Sequence, residues 1–449
     1  MRKLLNLRAR KFSQQIVLFP LLLILLASLS YYAPSQSEQV KVISTYPATV
    51  CPAVGNKVAS VASLSNSKIQ RRLINGISKT LNAGKKSLIV LNNDALLVEG
   101  NPGTALTFVN SGWKSVVPCS VSNGEQWFAG GSGALTSKSF LYIVNSGFSD
   151  SSVELQIYTP NGLIEPKSVV ISQNSTKKIS VDTLVPGEDK IVIGVKTLSG
   201  RVSSYLLDER KKGLKSLGAD FVAPVATANK KVTIAGISGL TGKQISNNNS
   251  ASHTLRLLIP GTIDANIDVT INSNDGNFIP EGLSQFNVKN QRVLDIPLTF
   301  APVNQPFSLI IDSDQPVLAS VLSEFAFGKS KEIAWATGAD DLSKWSVNLS
   351  GSKPVLSFSG NKINIQISAT TISGKKIDKK ITGTDFLVWN APSGLNRLQI
   401  TANGKGITGG VIFFPEVGSI GSSYIPMNNG ANLETASEPI SDASVISRG

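Results

Sequence analysis

FLYIVNSGFSDSSVELQIYTPNGLIEP, from Phe140 to Pro166, carries the structural signature of the whole chain. An apolar run leads to a Gly turn and then to VELQIY, where apolar and polar residues alternate. Period two belongs to a strand with one buried face. Asn161-Gly162 follows and signals a hairpin, because a tight turn needs positive backbone φ there. The same grammar returns in LRLLIPGTIDANIDVTINSNDGNFIPEG, from Leu255 to Gly282, with IDVTIN as the alternating run and Asp275-Gly276 as the turn.

The likeness extends on both sides of these stretches. KSVVISQNSTKKISVDTL matches LSQFNVKNQRVLDIPLTF, and IVIGVKTLSGRVSSYLLDE matches FSLIIDSDQPVLASVLSEF. The joints repeat as well: VVPCSVSNGEQWFAGGSGALT, from Val116, resembles FVAPVATANKKVTIAGISGLT, from Phe221. A more divergent unit holds INIQISATTISGKK, FLVWNAP, RLQITANG and TGGVIFFPE, and a first unit holds LIVLNNDALLVEG and TALTFVNSG. Each unit has the size of an immunoglobulin-like sandwich. The chain therefore reads as all-β, with tandem immunoglobulin-like β-sandwich units over residues 45–117, 118–223, 224–341 and 342–426. Only Lys68 to Ala83 could hold a helix, with Gly76 in its middle. Residues 427–449, rich in Asn, Ser, Ala and Glu without period, read as a disordered tail.

The N-terminus sets the location. Arg2, Lys3, Arg8, Arg10 and Lys11 form a basic tail over residues 1–15, and the run IVLFPLLLILL opens an apolar stretch over 16–33. That stretch has eighteen residues, near the lower limit of about 17 for a helix that crosses a bilayer. Tyr31 and Tyr32 suit the outer interface. The expectation is an uncleaved transmembrane anchor; a cleaved signal peptide is the alternative, against which stand the missing Ala-x-Ala and Pro34 directly after Ala33. Either way the five cations stay in the cytoplasm and the remainder crosses the membrane. Residues 34–44 read as a polar spacer.

Of the 43 Lys and Arg, five precede the apolar run, which leaves 38 against 30 Asp and Glu in the exported part. That excess is mild and its cations are scattered, so nucleic-acid binding is not expected; attraction to an anionic envelope polymer is the functional alternative to a merely soluble surface. Cys51 and Cys119 occupy equivalent joint positions, since TVCPAVGN resembles VPCSVSNG. An oxidising exterior favours pairing them, tying the start of the first unit to its junction with the second; two buried thiols are the alternative.

Chemistry is hard to place. With a single histidine, His253, a Ser-His-Asp or Cys-His arrangement lacks its base. His253 itself reads as a loop or strand-edge residue. Gly130-Gly131-Ser132-Gly133-Ala134 lacks the final glycine of a nucleophile elbow, and Gly239-Leu240-Thr241-Gly242-Lys243 has Ile237 where a phosphate loop needs glycine. Asp340-Asp341 and Glu188-Asp189 lack the spacing of a calcium loop and read as turn acids. No catalytic residue, cofactor or metal site is expected. Three of the five tryptophans, Trp127, Trp335 and Trp345, lie near joints. They are either packing residues or a candidate ligand platform on which sugar rings would stack.

The C-P step at Cys51-Pro52, the Trp strand QWFAGGSGA, LYIVNSG and the V-E-L-Q-I run resemble an uncharacterised actinobacterial family of exported proteins, the domain of unknown function DUF5719. The third joint departs from it, with Val232-Thr233-Ile234 in place of Trp127-Phe128. The resemblance implies an envelope-associated array and supplies no catalytic residue. The expected function is non-enzymatic: a single-pass, membrane-anchored extracytoplasmic structural or interaction protein of the bacterial cell envelope, with envelope proteins or glycans as partners. The alternative is an envelope glycan-binding protein that uses the joint tryptophans.

Overall fold

Alternation in the sequence becomes alternation in burial. Val153, Leu155 and Ile157 are buried while Glu154 and Gln156 between them are half-buried. Ile267, Val269 and Ile271 repeat the pattern, as do Ile363, Ile365 and Ile367. The computed structural model describes residues 42–45, 49–54, 58–62, 69–76, 79–81, 86–90, 94–99, 104–110, 113–135, 137–240, 244–246, 248–414, 422–428 and 434–437. Its described residues hold strands and one short 3-10 turn at Val181–Thr183. The apolar stretch 16–33 lies outside them, and no described helix is long and apolar enough to cross a membrane.

Two units are distinguished. One contributes only β1 (Val42–Thr45), paired antiparallel with β32 (Glu434–Ser437). The other, from Tyr46 to Leu433, holds thirty strands that run four times through the same eight positions, a to h. The first pass is β2 (Thr49–Cys51), β3 (Val58–Ala62), β4 (Ile69–Leu73), β5 (Lys79–Leu81), β6 (Lys86–Val90), β7 (Leu96–Glu99), β8 (Ala105–Asn110) and β9 (Trp113–Pro118). The second is β10 (Glu125–Phe128), β11 (Phe140–Asn145), β12 (Ser151–Thr159), β13 (Gly162–Ile171), β14 (Ser175–Ser180), β15 (Val192–Ser199), β16 (Val202–Lys212) and β17 (Lys215–Val222).

In the third pass β18 (Asn229–Ile237), β19 (Asn249–Leu258) and β20 (Ala265–Ser273) take a to c. Position d is split into β21 (Gly276–Phe278) and β22 (Phe286–Val288), and β23 (Leu294–Pro297) is e. The long β24 (Phe307–Phe327) runs through both f and g, and β25 (Ser330–Thr337) is h. The fourth pass fuses b with c and d with e. It reads β26 (Lys344–Ser352), β27 (Val355–Thr371), β28 (Lys376–Asn390), β29 (Leu395–Ala402), β30 (Thr408–Phe413) and β31 (Ser423–Pro426).

In the second repeat the sheets are a-f-c-d and e-b-g-h, packed around one shared core that includes Phe128, Leu141, Leu155, Ile193 and Leu206. The third and fourth repeats reproduce both orders, and the first reproduces a-f-c-d. An immunoglobulin constant domain instead places its first strand beside its second and its last beside its sixth. Here strand a lies beside f and strand g beside b. The physical reason is at the joint: the residue just after h bridges back to strand a, as in Val50 with Ser120, Trp127 with Val225 and Thr233 with Ala339.

The hairpins fall where Asn161-Gly162 and Asp275-Gly276 place them. Gly162 and Gly276 hold φ of 119° and 115°, a backbone region that side chains disfavour. Three expectations change. The described residues of the Lys68 to Ala83 stretch form no helix: Ile69–Leu73 and Lys79–Leu81 pair as a hairpin, with a turn at Gly76, the helix-weakening residue. The 34–44 spacer ends in strand β1, because Val42 and Ile43 find partners in Ser437 and Ala436. The 427–449 tail begins with a fully buried Met427 and contains β32.

The repeats form a closed circuit. Strand h of each repeat meets h of the next: β9 touches β17, β17 touches β25, β25 touches β31, and β31 touches β9. Strand a leans on the following repeat in the same way, β18 on β27 and β30, and β26 on β3 and β8.

Candidate functional site

The centre of the circuit is where polar residues converge. Ser115, Asp220, Ala334 and Ser423 occupy the same position of strand h in the four repeats. Asp220 is fully buried. It accepts from Ser115 Oγ at 2.6 Å, Ser423 Oγ at 2.8 Å and the Trp335 backbone N–H at 2.9 Å. One carboxylate thus joins all four repeats. Burial pushes it up to about 7, against the hydrogen bonds from Ser115, Trp335 and Ser423.

Two further acids flank it. Asp208 on β16 accepts from Trp335 Nε1 at 3.0 Å, Ser139 Oγ at 2.8 Å, Ser137 Oγ at 3.1 Å and Arg210 Nε at 3.2 Å. Burial alone would raise it, but the Arg210 charge and these donors hold it below the usual carboxylate range. Glu332 on β25 accepts two backbone N–H groups, of Ala219 and Ile333, both at 3.0 Å, through the same oxygen. Its other oxygen has no partner, and burial pushes the group up to about 9, so it is neutral near pH 7.

A cleft of about 400 Å³ opens beside this centre, between the second and third repeats, lined among others by Ser132, Ser137, Arg210, Arg256, Asp295 and Glu324. Arg256 is its floor. The guanidinium grips Asp295 bidentately, at 2.8 and 2.9 Å, donates to the Gly131 and Ile191 carbonyls, and lies 5.2 Å from the Trp335 ring. Such a fork suits a buried planar pairing. Arg210 reaches Glu324 at 3.6 Å across the cleft. Every charged group named here faces an opposite charge, so the cleft is electrically balanced.

The model of a family of unknown function, DUF5719, matches residues 114–382. The chain belongs to the DUF5719 family. No curated protein matches it. A solved structure described as the tetra-tandem repeat in the extending region of a large adhesion protein is 10% identical, with 87% of this chain and 97% of that one covered; its TM-score is 0.10, which supports no inference. The DUF5719 segment takes in the whole second and third repeats and therefore Asp208, Asp220, Arg256 and Glu332.

Within the DUF5719 segment the tryptophans do not form a platform. Trp127, Trp335 and Trp345 are 7%, 0% and 9% exposed. Trp127 lies over Gly194, where an added Cβ would come within 2.8 Å of the ring, and packs with Tyr158, Leu258 and Leu318. Trp335 fills the core of the second repeat, and Trp345 that of the fourth. Their faces are taken up by joint and core packing, and no sugar ring can stack on them.

The glycine run around Ser132 is a buried turn. Gly133 sits where a Cβ would come within 2.1 Å of the Val185 carbonyl, and Ser132 is 4% exposed. His253 is neither in a loop nor at a strand edge. It is buried on β19 between β23 and β24, with Nδ1 2.9 Å from Ser323 Oγ and its ring edge-on to Phe307, and burial lowers it to about 4. Among the described residues no three His, Cys, Asp or Glu gather as metal ligands; Thr241 to Lys243 lie outside them. Cys51 and Cys119 are disulfide-bonded. The acids and the arginine of the joint were missed in the sequence. Their signal was a charge inside an otherwise apolar run, as in YLLDE, GADFV, KEIAW and TLRLL.

Proposed function

We propose that the chain is a non-enzymatic, membrane-anchored extracytoplasmic structural or interaction protein of the bacterial cell envelope, built from immunoglobulin-like repeats in the broad sense of two-sheet sandwiches. The observation that supports this best is the use made of its buried acids. Asp208 and Asp220 spend their hydrogen-bonding capacity on holding repeats together, and Arg256 is saturated by Asp295 and carbonyls. Groups committed in this way build a scaffold. The Cys51–Cys119 disulfide suits an oxidising compartment, and the apolar stretch 16–33 behind a basic tail suits an anchor. The actinobacterial, exported character implied by the sequence resemblance belongs to the same proposal.

Fractionation of cells carrying the full chain tests the reading. The protein should stay with membranes after an alkaline wash and be digested by protease added to intact spheroplasts. Protease resistance in spheroplasts together with free thiols at Cys51 and Cys119 would place it in the cytoplasm and end the proposal.

A further inference from the structure

We infer that the outer face of the a-f-c-d sheet in the fourth repeat is a docking surface for a linear anionic polysaccharide. Three cross-strand rows make this face. Lys344, Thr401, Gln366 and Lys380 form one, Ser346, Gln399, Ser368 and Asp378 the next, and Asn348, Arg397, Thr370 and Lys376 the third. Residues two apart in a strand share a face, so these twelve side chains point the same way. The opposite face carries Val347, Ile365, Ile367, Leu398 and Ile400, all in the core.

Charge complementarity selects the partner. Four cations, Lys344, Lys376, Lys380 and Arg397, stand in the outer rows against a single acid, Asp378, whose carboxylate accepts from Ser368 at 2.8 Å. Lys344 and Lys380 bracket one row about 14 Å apart, and Lys376 and Lys380 lie about 14 Å apart along their strand. Between them stand the hydroxyls and amides of Thr401, Gln366, Ser346, Gln399 and Ser368, which pair with sugar hydroxyls, while Asn348 is buried at the edge. Lys344, Gln399, Lys376 and Lys380 are exposed. The corresponding sheets of the second and third repeats are neutralised. In the second repeat Lys196 stands between Glu125 and Glu154 in one row. In the third Lys231 pairs with Asp312 at 3.4 Å, and Asp268 is next in the row.

Closure of the circuit brings the two most basic segments of the sequence together. Residues 342–426 carry nine Lys and Arg against three Asp and Glu, and residues 45–117 carry eight against two. The two middle segments, 118–223 and 224–341, carry eleven against ten and eight against eleven. The two basic repeats are the farthest apart in sequence, yet β26 lies against β3 and β8.

This inference rests on the envelope reading for where such a polymer is met, and not for the binding itself. The test uses the full chain in detergent micelles, titrated with carboxymethyl-dextran, unmodified dextran, poly-L-glutamate and phosphatidylglycerol vesicles. Carboxymethyl-dextran should bind tightest, and binding should weaken as salt is added. The variant Lys376→Glu with Lys380→Glu should weaken it by about tenfold or more, at an unchanged melting temperature. Lys196→Glu should leave it alone, and the milder pair Lys376→Gln with Lys380→Gln should fall between. The inference is overturned if the Lys376 and Lys380 variants bind like the wild type, or if Lys196→Glu costs as much. Equal retention by poly-L-glutamate or by vesicles would also overturn it, pointing to charge alone or to a membrane. A cytoplasmic protein that still bound carboxymethyl-dextran through Lys376 and Lys380 would sink the envelope reading and spare the docking face.

Discussion

Ser423 donates its hydroxyl to Asp220 at 2.8 Å although 203 residues separate them. The Val116 carbonyl, at 3.2 Å, shares that single proton, and the hydroxyl oxygen accepts from the Val116 N–H at 3.3 Å. It therefore fastens the last strand of the fourth repeat to the first and second repeats at once. Asp220→Asn keeps the shape but turns one oxygen into an N–H₂ that faces the Trp335 N–H. Such a clash of donors in a buried site should cost about 1–3 kcal/mol. Ser423→Ala should cost about 1 kcal/mol. Denaturant unfolding of the two variants measures both, and a double variant should be less than additive because the residues touch.

Titration of the joint acids gives stability a pH dependence with a fixed sign. Burial raises Glu332 to about 9 and Asp220 to about 7 in the folded state, above the 4.5 and 3.8 of free carboxyls. The folded protein then binds more protons than the unfolded one, so stability falls as pH rises through these windows. Glu332→Gln should flatten the decline between about pH 5 and 9. A wild-type midpoint that did not change from pH 5 to pH 9 would contradict this.

His253 acts in the opposite direction. Burial lowers it from 6.5 to about 4, so the unfolded chain takes up the proton first. Its contribution is present above about pH 6.5 and is lost as pH falls toward 4. His253→Gln should remove that acid-side loss while costing some packing against Phe307, read as a shallower decline between pH 6 and pH 4 in thermal melts.

The disulfide spans a sequence separation of 68 and ties the start of the first repeat to its junction with the second. Cys51→Ser with Cys119→Ser should therefore destabilise by about 4 kcal/mol in the chain-entropy view. Melting with and without reductant checks it: the wild type should lose stability on reduction, and the double variant should not respond.

Trp127→Ala should destabilise by about 3–5 kcal/mol, the range for emptying a buried aromatic site. The surrounding residues come from two repeats, so the change should loosen the second joint in particular. Hydrogen exchange should speed up in β15 and β19 more than in β27.

The strands were legible because burial on one face imprints period two, as VELQIY, IDVTIN and INIQIS display. The hairpins at Gly162 and Gly276 were legible because few residues tolerate their φ. The equivalence of Cys51 and Cys119 followed from the likeness of the two joints. Closure of the circuit was not legible. It depends on Ser115 and Ser423, small polar residues in short strands with no period of their own. The tryptophans were ambiguous in principle, since a flat ring near a joint serves equally to pack or to bind until its burial is known. Lys68 to Ala83 misled because IQRRL and KTL, too short to show alternation, look like parts of a helical turn.

Closure also fixes how many copies the architecture can count. An open string of repeats can gain or lose a member at its ends, because each member needs only the neighbour beside it. Here β31 already sits against β9, and Asp220 has drawn one donor from each of the other three repeats. A fifth copy would have to part that seam and take a donor from this buried carboxylate. Diversification by duplication, the usual route for modular chains, is barred to this one.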